Sequence, residues 1–294
     1  MRHQVVIAVL ALVGCAQPPP PAPVAPDSRP PDLAPRYPSW EEVSERTQDP
    51  AAFPPTEANW HPLSPVESRQ LAGGAALSDI SVSHHGRSTD LQLIIFDSRR
   101  YDLKVIDQPD DGSGGGRIRE CMRGANAAAG VNGGFFTPQF TPMGLMIAEG
   151  RRTGAWQANK LLTGAVVVHH EPQLLWNAEV RDAGGARHLL QAGPRLVDAG
   201  RPVSNLERAK HTTRTFIATD GGHQWILGLA HDISLGELAE LLTAPGTIPG
   251  FPIHRALNLD GGRSSALYYR TADGSEHSDP GWSTVRNYLG IVPR

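Results

Sequence analysis

One stretch of the chain combines residue types that can hold a polar ligand. It spans residues 256–265 and reads A-L-N-L-D-G-G-R-S-S. Its first four residues are mostly apolar and follow a cluster of Pro and Gly, which predicts a short buried strand. That strand ends at a carboxylate, Asp260, and two glycines, whose backbone can turn with positive φ and admit close neighbours. A cation and two hydroxyls come next, so charged and polar groups gather at one strand end.

Asp260 has two interpretations at this point. It binds or acts on a polar ligand, or it caps its own backbone in an ordinary turn. A second stretch of the same kind occurs earlier in the chain. Residues 131–136, V-N-G-G-F-F, place Asn132 before two glycines at the end of another short apolar strand. We therefore expect the two diglycine turns to meet on one rim of the fold.

The elements that must position these turns are mainly short strands. Residues 91–96 and 101–106 are predicted strands joined by a polar turn, which indicates a β-hairpin. Ser234, followed three residues later by Glu237, forms a capping box that predicts a helix through Leu242. Strands without a βαβ rhythm favour an α+β fold, a single domain whose mixed, mostly antiparallel β-sheet is flanked by a few helices.

Residues 1–15 predict a lipoprotein signal peptide. Arg2 gives a positive start, a short apolar run follows, and L-V-G-C closes it at Cys15. The run is too short to span a bilayer. A small residue before a cysteine resembles the bacterial lipobox, which implies cleavage before Cys15 and lipidation of its thiol. The alternative is an ordinary signal peptide with an incidental cysteine. The expected location is the bacterial cell envelope, with the chain anchored in the membrane at the periplasmic face or outer membrane.

Composition sets further bounds. Residues 16–65 hold over half of the 26 prolines and are predicted to be an extended linker, so the folded domain spans 66–294. With 19% charged residues and a net charge of −3, the chain is not a nucleic-acid binder by charge. If Cys15 carries lipid, Cys121 has no partner for a disulfide, and the fold rests on core burial.

Six motifs, in this order, resemble the phosphodiester glycosidase family over about residues 70–294. They are V-N-G-G-F-F (131–136), P-M-G-L-M-I-A-E-G (142–150), Q-A-G-P-R-L-V-D-A-G (191–200), R-T-F-I-A (214–218), S-L-G-E-L-A-E-L-L (234–242) and A-L-N-L-D-G-G-R-S-S (256–265). Arg263 departs from the family, which often has a small residue or proline there. After Gly274 the match carries over Arg286 and Asn287. The resemblance implies hydrolysis of a carbohydrate phosphodiester at the glycosidic C–O bond.

The residue types suit that chemistry. A phosphate leaving group departs as an anion, so it needs positive charge, for which Arg214 is the first choice and Arg195 or Arg263 the next. The sugar passes through an oxocarbenium-like state that Asp260 can stabilise, attack or supply with activated water. The predicted catalytic residues are therefore Asp260 and Arg214. The predicted substrate-binding residues are Asn132, Gly133, Gly134, Arg195, His211, Thr215, Gly261, Gly262, Arg263, Ser264 and Ser265.

Two other functions remain open from the sequence. One is a non-catalytic module that binds anionic glycans in the same cleft. The other is a metal-dependent phosphodiesterase with Asp260 as a ligand, so a divalent cation stays an alternative to the predicted absence of a cofactor. The adjacent pair His169–His170 does not by itself suggest a metal site, because neighbouring residues of a strand face opposite ways.

Overall fold

A computed structural model of the chain describes residues 60–108, 116–181 and 183–294. The predicted signal peptide with Cys15, and residues 16–59 of the predicted linker, lie outside the described residues. Within those three ranges, no helix is both long and apolar enough to cross a membrane.

The described residues form short strands, two α-helices and two 3₁₀ turns. The strands are β1 (His61–Pro62), β2 (Glu67–Gln70), β3 (Ala76–His84), β4 (Arg87–Asp97), β5 (Tyr101–Asp107), β6 (Ala129–Asn132), β7 (Met146–Ala148), β8 (Arg151–Thr153), β9 (Gly164–Val168), β10 (Pro172–Trp176), β11 (His188–Ala192), β12 (Arg195–Asp198), β13 (Arg201–Pro202), β14 (Thr212–Thr219), β15 (Gln224–Ile233), β16 (Arg255–Asn258), β17 (Leu267–Arg270), β18 (Glu276–Asp279) and β19 (Asn287–Pro293). The α-helices are α1 (Ile118–Gly124) and α2 (Leu235–Thr243), and the 3₁₀ turns are Ala72–Gly74 and Gly262–Ser264.

These strands form three sheets. The central sheet has nine strands in the order β1-β3-β4-β15-β14-β16-β12-β13, with β2 also paired to β3. The second has the order β10-β9-β11-β7-β8, and the third β18-β17-β6-β19-β5. Each pairing described is antiparallel. The predicted α+β class with mostly antiparallel strands is confirmed. Strand β1 lies inside the segment predicted as linker.

The central sheet is covered on both faces, which explains why its inner strands read as continuous apolar runs. In β14, Phe216 belongs to the core cluster shared with α2, whereas Ile217 belongs to the cluster shared with the other two sheets. Leu238 and Leu241 of α2 are fully buried in the first of these cores. Successive residues of β14 therefore serve opposite cores.

The predicted hairpin of β4 and β5 is wrong. Strand β4 pairs with β3 and β15 in the central sheet, whereas β5 pairs with β19 in the third sheet. The polar turn between them carries the chain from one sheet to another. A local pattern of two strands and a turn does not reveal this, because the true partner of β5 is the last strand of the chain.

The predicted capping box is confirmed at the beginning of α2. The Glu237 N–H donates to Ser234 Oγ at 3.3 Å, and the Ser234 N–H donates to Glu237 Oε2 at 3.0 Å. Both bonds satisfy backbone N–H groups that the first helical turn would otherwise leave unpaired.

Replacing Ser234 with alanine is expected to lower the free energy of unfolding by about 1 kcal/mol, because the cap of α2 is lost while the buried volume barely changes. Urea denaturation measures this difference. Ser204→Ala, which alters an exposed serine in a loop, is the matched control and should leave the midpoint unchanged. Equal midpoints for the two variants would contradict a stabilising role for the cap.

Candidate active site

The two diglycine turns meet, as predicted. Asn132 ends β6, and Asp260 follows β16 by two residues. The Asn132 side-chain amide donates to the Asp260 carbonyl oxygen at 2.6 Å, and the Asp260 N–H donates to the Gly133 carbonyl oxygen at 3.0 Å. The turns thereby join the third sheet to the central sheet at the point where both strands end.

Asn132 acts as the clamp between these turns. Its Oδ1 accepts from the Thr215 hydroxyl at 2.8 Å and from the Ala266 N–H at 3.1 Å. The Thr215 hydroxyl also lies 3.1 Å from Ser265 Oγ. Asn132 and Thr215 are fully buried. The structure therefore places these two predicted ligand-binding residues behind the site, where they position its backbone.

The amides of Gly133 and Gly134 are also used internally. They donate to the carbonyl oxygen of Asn287 at 2.9 Å and to its side-chain oxygen at 2.7 Å. A Cβ atom at Gly133 would lie 2.0 Å from Asn287 Oδ1, so only glycine permits this approach. The structure contradicts the prediction that these two N–H groups face a ligand, because Asn287 takes both of them.

Asp260 is the titratable group at the junction. Its side chain is partly exposed, and Oδ1 accepts from the Gly261 N–H at 2.9 Å. Burial raises the pKa of the Asp260 carboxyl above its ordinary value, while hydrogen bonds from Ser264 and Gly261 act in the opposite direction. A partly exposed carboxyl with a raised pKa, on a rigidly bonded turn, is typical of a catalytic acid, base or nucleophile.

Arg214 does not join this group. Its guanidinium donates to Glu207 at 3.2 Å, to the Lys210 carbonyl at 2.6 Å and to the Ile233 carbonyl at 3.1 Å. Burial lowers the pKa of Arg214, against the opposing effect of Glu207. Because Thr215 points toward the turns, its neighbour Arg214 points to the opposite face of β14. The structure therefore does not place Arg214 beside Asp260, where it was predicted to bind a ligand.

Two other predicted residues are also engaged elsewhere. His211 Nε2 lies 2.7 Å from Glu237 Oε2, at the beginning of α2. The Arg195 guanidinium lies over the Trp176 ring, 5.4 Å from its centroid, and 3.7 Å from Asp198. The structure shows no bond from either of these side chains to the diglycine turns.

Arg263 is the remaining predicted cation, and it follows Asp260 closely in the chain. It is exposed, and it sits in the 3₁₀ turn that directly follows Gly261. The bonds that the structure shows for Arg263 go to its carbonyl oxygen, and its guanidinium makes none with another described residue. Ser264 and Ser265, the hydroxyls of the same turn, are largely buried. Across residues 60–108, 116–181 and 183–294, no group of three or more His, Cys, Asp or Glu side chains is placed to hold a metal ion.

Comparison with protein families gives one match. The family model described as phosphodiester glycosidase matches residues 125–292, which is more than half of the 294-residue chain. The matched segment includes both diglycine turns and Asn287. No curated protein sequence matches the chain.

Solved structures with a similar fold include two with TM-scores above 0.5. A hypothetical protein from Synechocystis superposes with a TM-score of 0.56 at 18% identity, covering 79% of this chain and 64% of its own. The catalytic domain of zebrafish N-acetylglucosamine-1-phosphodiester alpha-N-acetylglucosaminidase, auto-inhibited by its pro-peptide, superposes with a TM-score of 0.52 at 15% identity. That match covers 78% of this chain and 88% of the zebrafish chain. At these identities the likeness shows the fold alone, and this chain spans less than two thirds of the Synechocystis protein.

Proposed function

Because this chain belongs to the phosphodiester glycosidase family, we propose that it hydrolyses sugar-1-phosphodiesters at the glycosidic C–O bond. The observation that carries the proposal is Asp260, a carboxyl with a raised pKa on a turn locked by Asn132 and Gly133. The zebrafish relative is named for its action on an N-acetylglucosamine phosphodiester, so N-acetylglucosamine is the first sugar to test.

The chemistry assigned to Asp260 follows from charge. The bond from the anomeric carbon to the phosphate oxygen breaks, and the electron pair leaves with the oxygen as a phosphate monoester. The sugar becomes oxocarbenium-like, which an adjacent carboxylate stabilises. Water adds to the anomeric carbon and loses one proton, giving the free sugar. Asp260 accepts that proton, or attacks first and is then released by water.

Arg263 supplies the positive charge that the departing phosphate needs. Replacing it with alanine is expected to lower kcat/KM by about tenfold or more, because an exposed cation with a charge-assisted bond to phosphate is lost. Arg263→Lys keeps the charge but not the planar fork, so we expect an intermediate value. Steady-state kinetics measure both.

Arg152→Ala is the charge-matched control for this prediction, since Arg152 is exposed on β8 in the second sheet, whereas the turns follow strands of the other two sheets. It should keep the activity of the unchanged protein. If Arg263→Ala behaves like Arg152→Ala, the leaving phosphate takes its positive charge from another group.

Product analysis tests the proposed reaction itself. The protein is incubated with N-acetylglucosamine 1-(methyl phosphate) in water enriched in oxygen-18, and products are identified by mass spectrometry. Cleavage at C–O puts the label in free sugar and leaves methyl phosphate unlabelled. Label in the phosphate would mean cleavage at P–O and would overturn the proposal. Loss of turnover on adding a chelator would favour the metal-dependent phosphodiesterase.

We also propose that the protein is exported and held in the cell envelope by lipid on Cys15. The support is the N-terminal sequence pattern, in which a positive start and a short apolar run end at L-V-G-C. In full-length protein expressed in a bacterium, Cys15→Ser is expected to move the chain from the detergent phase to the aqueous phase on phase separation. Detergent partitioning that Cys15→Ser leaves unchanged would contradict lipidation at this residue.

A further inference from the structure

A cavity of about 290 Å³ is lined by charged and polar side chains of the second and third sheets. We call it the polar pocket. Its polar lining consists of Asp102 of β5, Glu171 in the turn between β9 and β10, Arg187, His188, Arg294 and the histidine pair His169–His170. The proposed reaction uses none of these groups.

The polar pocket lies at the end of the second sheet that is opposite the candidate active site. Strand β11 begins at His188, which lines the pocket, and ends at Ala192. One residue further, the Gly193 carbonyl accepts from the side chain of Asn258 at 2.9 Å, and Asp260 follows Asn258 by two residues. The four residue steps of β11 cover about 13 Å. The strand therefore separates the pocket from the diglycine turns.

The third sheet runs in the same direction. Asn287, which accepts from the Gly133 and Gly134 amides, begins β19. Arg294 of the polar pocket directly follows the last residue of that strand. Strands of two sheets thus lead from the diglycine turns to the polar pocket, which is a different site.

His188 gives the polar pocket a buried hydrogen-bond donor. The ring is 2% exposed, and burial lowers the pKa of His188 to about 4, so the ring is neutral at neutral pH. Its Nδ1 accepts from the Glu149 N–H at 3.4 Å, which leaves the hydrogen on Nε2. Nε2 has no hydrogen-bond partner among the described residues, and Glu149 Oε1, at 3.7 Å, is too distant for one. Such unpaired buried donors are rare, and a bound ligand would satisfy this one.

The formal charges of the polar pocket cancel. Arg294 donates to Asp102 Oδ1 at 3.0 Å and to Glu171 Oε1 at 3.1 Å. The Nε of Arg187 donates to Glu149 at 2.9 Å, while its two Nη atoms donate to no described residue. The lining therefore holds two carboxylates and two guanidiniums, so its net charge selects neither an anion nor a cation.

A ligand that fits this lining is uncharged and both donates and accepts hydrogen bonds. Hydroxyl groups do both, whereas carboxylate and phosphate oxygens mainly accept. Donors are available at His188 Nε2 and at the Nη atoms of Arg187. The carboxylates of Asp102 and Glu171 keep further lone pairs beside Arg294. Because cavities of a few hundred Å³ hold small molecules, the lining suits a single ring that carries several hydroxyls.

We propose that the polar pocket binds one neutral pyranose unit of a glycan, at a site separate from the diglycine turns. Hydroxyl oxygens of the sugar accept from His188 and Arg187, and its hydroxyl protons are donated to Asp102 or Glu171. The pocket takes no part in bond breaking. The inference therefore does not rest on the proposed function, and the two fail separately.

Direct binding of simple sugars tests the inference. The methyl glycosides of glucose, galactose, mannose and N-acetylglucosamine are titrated one at a time into the protein, and saturation-transfer NMR gives each Kd. At least one glycoside is expected to bind. Arg187→Ala should raise its Kd about tenfold, because charge-assisted bonds to the sugar are lost.

Arg123→Ala is the matched control. Arg123 is 58% exposed and bonded to Glu276 at 2.7 Å, as Arg187 is 53% exposed and bonded to Glu149 at 2.9 Å. Arg123 does not line the polar pocket. Its replacement should leave the Kd unchanged, and equal losses in the two variants would contradict binding at the pocket.

Three other outcomes would overturn the inference. The first is that none of the four glycosides binds. The second is that inorganic phosphate binds and Arg187→Ala abolishes this binding, since the pocket would then be an anion site. The third is sugar binding that Asp260→Asn removes and Arg187→Ala retains, which would place the sugar at the diglycine turns.

The imidazole of His188 supplies a second readout. Its ¹⁵N signals are assigned by their absence in His188→Gln, and the Nε2 signal is expected to shift when the glycoside that binds is added. An unmoved signal would mean that His188 has only a structural role. Arg187→Ala should also keep the turnover of N-acetylglucosamine 1-(methyl phosphate), and loss of that turnover would contradict a separate site.

Discussion

Asp260→Asn is expected to lower kcat by about a thousandfold while leaving the fold intact. The amide has the size of the carboxyl, and its oxygen can still accept from the Gly261 N–H, as Asp260 Oδ1 does at 2.9 Å. What it lacks is the negative charge and the basicity that the oxocarbenium-like state requires. Initial rates on N-acetylglucosamine 1-(methyl phosphate), with circular dichroism to check folding, measure the effect.

The chain contains its own control for this substitution. Asp220 also precedes two glycines, and its Oδ1 accepts from the Gly222 N–H at 2.7 Å and from the Gln224 N–H at 3.1 Å. It is thus a carboxylate that caps a surface turn between β14 and β15. Asp220→Asn should retain full turnover. If Asp260→Asn does so too, then Asp260 is only a turn cap, and the proposed chemistry loses its central residue.

The raised pKa of Asp260 predicts how activity depends on pH. Catalysis by the carboxylate form requires deprotonation, so kcat/KM should fall as the pH drops through the pKa of Asp260, at a higher pH than for an ordinary aspartate. A pH–rate profile of the unchanged protein measures this limb. An acid limb at the ordinary carboxyl pKa would mean that burial does not perturb the reacting group.

Stability has the opposite dependence on pH. Because the folded pKa lies above the unfolded one, the native state binds more protons between the two values. The contribution of Asp260 to stability is therefore present at low pH and is lost as the pH rises through the folded pKa. At neutral pH the native protein keeps a partly buried charge, so Asp260→Asn should unfold at an equal or higher temperature, as expected where function opposes stability.

Signals that lie within a few residues of each other could be read from the sequence. The capping box of α2 and the two diglycine turns depend on local backbone chemistry, so their residue types identify them. The junction of Asn132 with Asp260 was predictable because both residues end short apolar strands. The role of Asn287 was harder to predict from the sequence. Asn287 is distant from Gly133 in the chain, and its contact with that turn depends on a gap that only glycine leaves open.

The face occupied by Arg214 could not be read in the same way. A strand with one solvent-facing side shows alternating polar and apolar residues, which reveals its orientation. Strand β14 lies between two cores, so residues on both of its sides are buried and the alternation vanishes. The sequence pattern is therefore equally consistent with Arg214 facing the site and with Arg214 facing the opposite core. Only its bonds to Glu207 and Ile233 show which face it occupies.

Asn132→Ala is expected to cause the largest loss of stability among the substitutions considered. The amide bonds the Asp260 carbonyl, the Thr215 hydroxyl and the Ala266 N–H, and it is fully buried. Alanine removes the hydrogen bond that each of these three groups makes with Asn132, in a site closed to water. Each unsatisfied group costs about 1–3 kcal/mol, and relaxation makes the sum smaller, so we expect a loss of about 3 kcal/mol. Urea denaturation measures it.

Thr215→Val separates the clamp from simple loss of a hydrogen bond. Valine has the shape of threonine and removes one of the three bonds of Asn132, so it should cost only about 1 kcal/mol. The double variant should lose less than the sum of the single losses, because Thr215 has no amide to bond once Asn132 is gone. Asn132→Ala should also lower kcat, because the backbone that positions Asp260 is freed when the bond from the Asn132 amide to the Asp260 carbonyl is lost. Thr215→Val keeps that bond. Equal losses of stability and turnover in the two single variants would show that Asn132 does not clamp the turns.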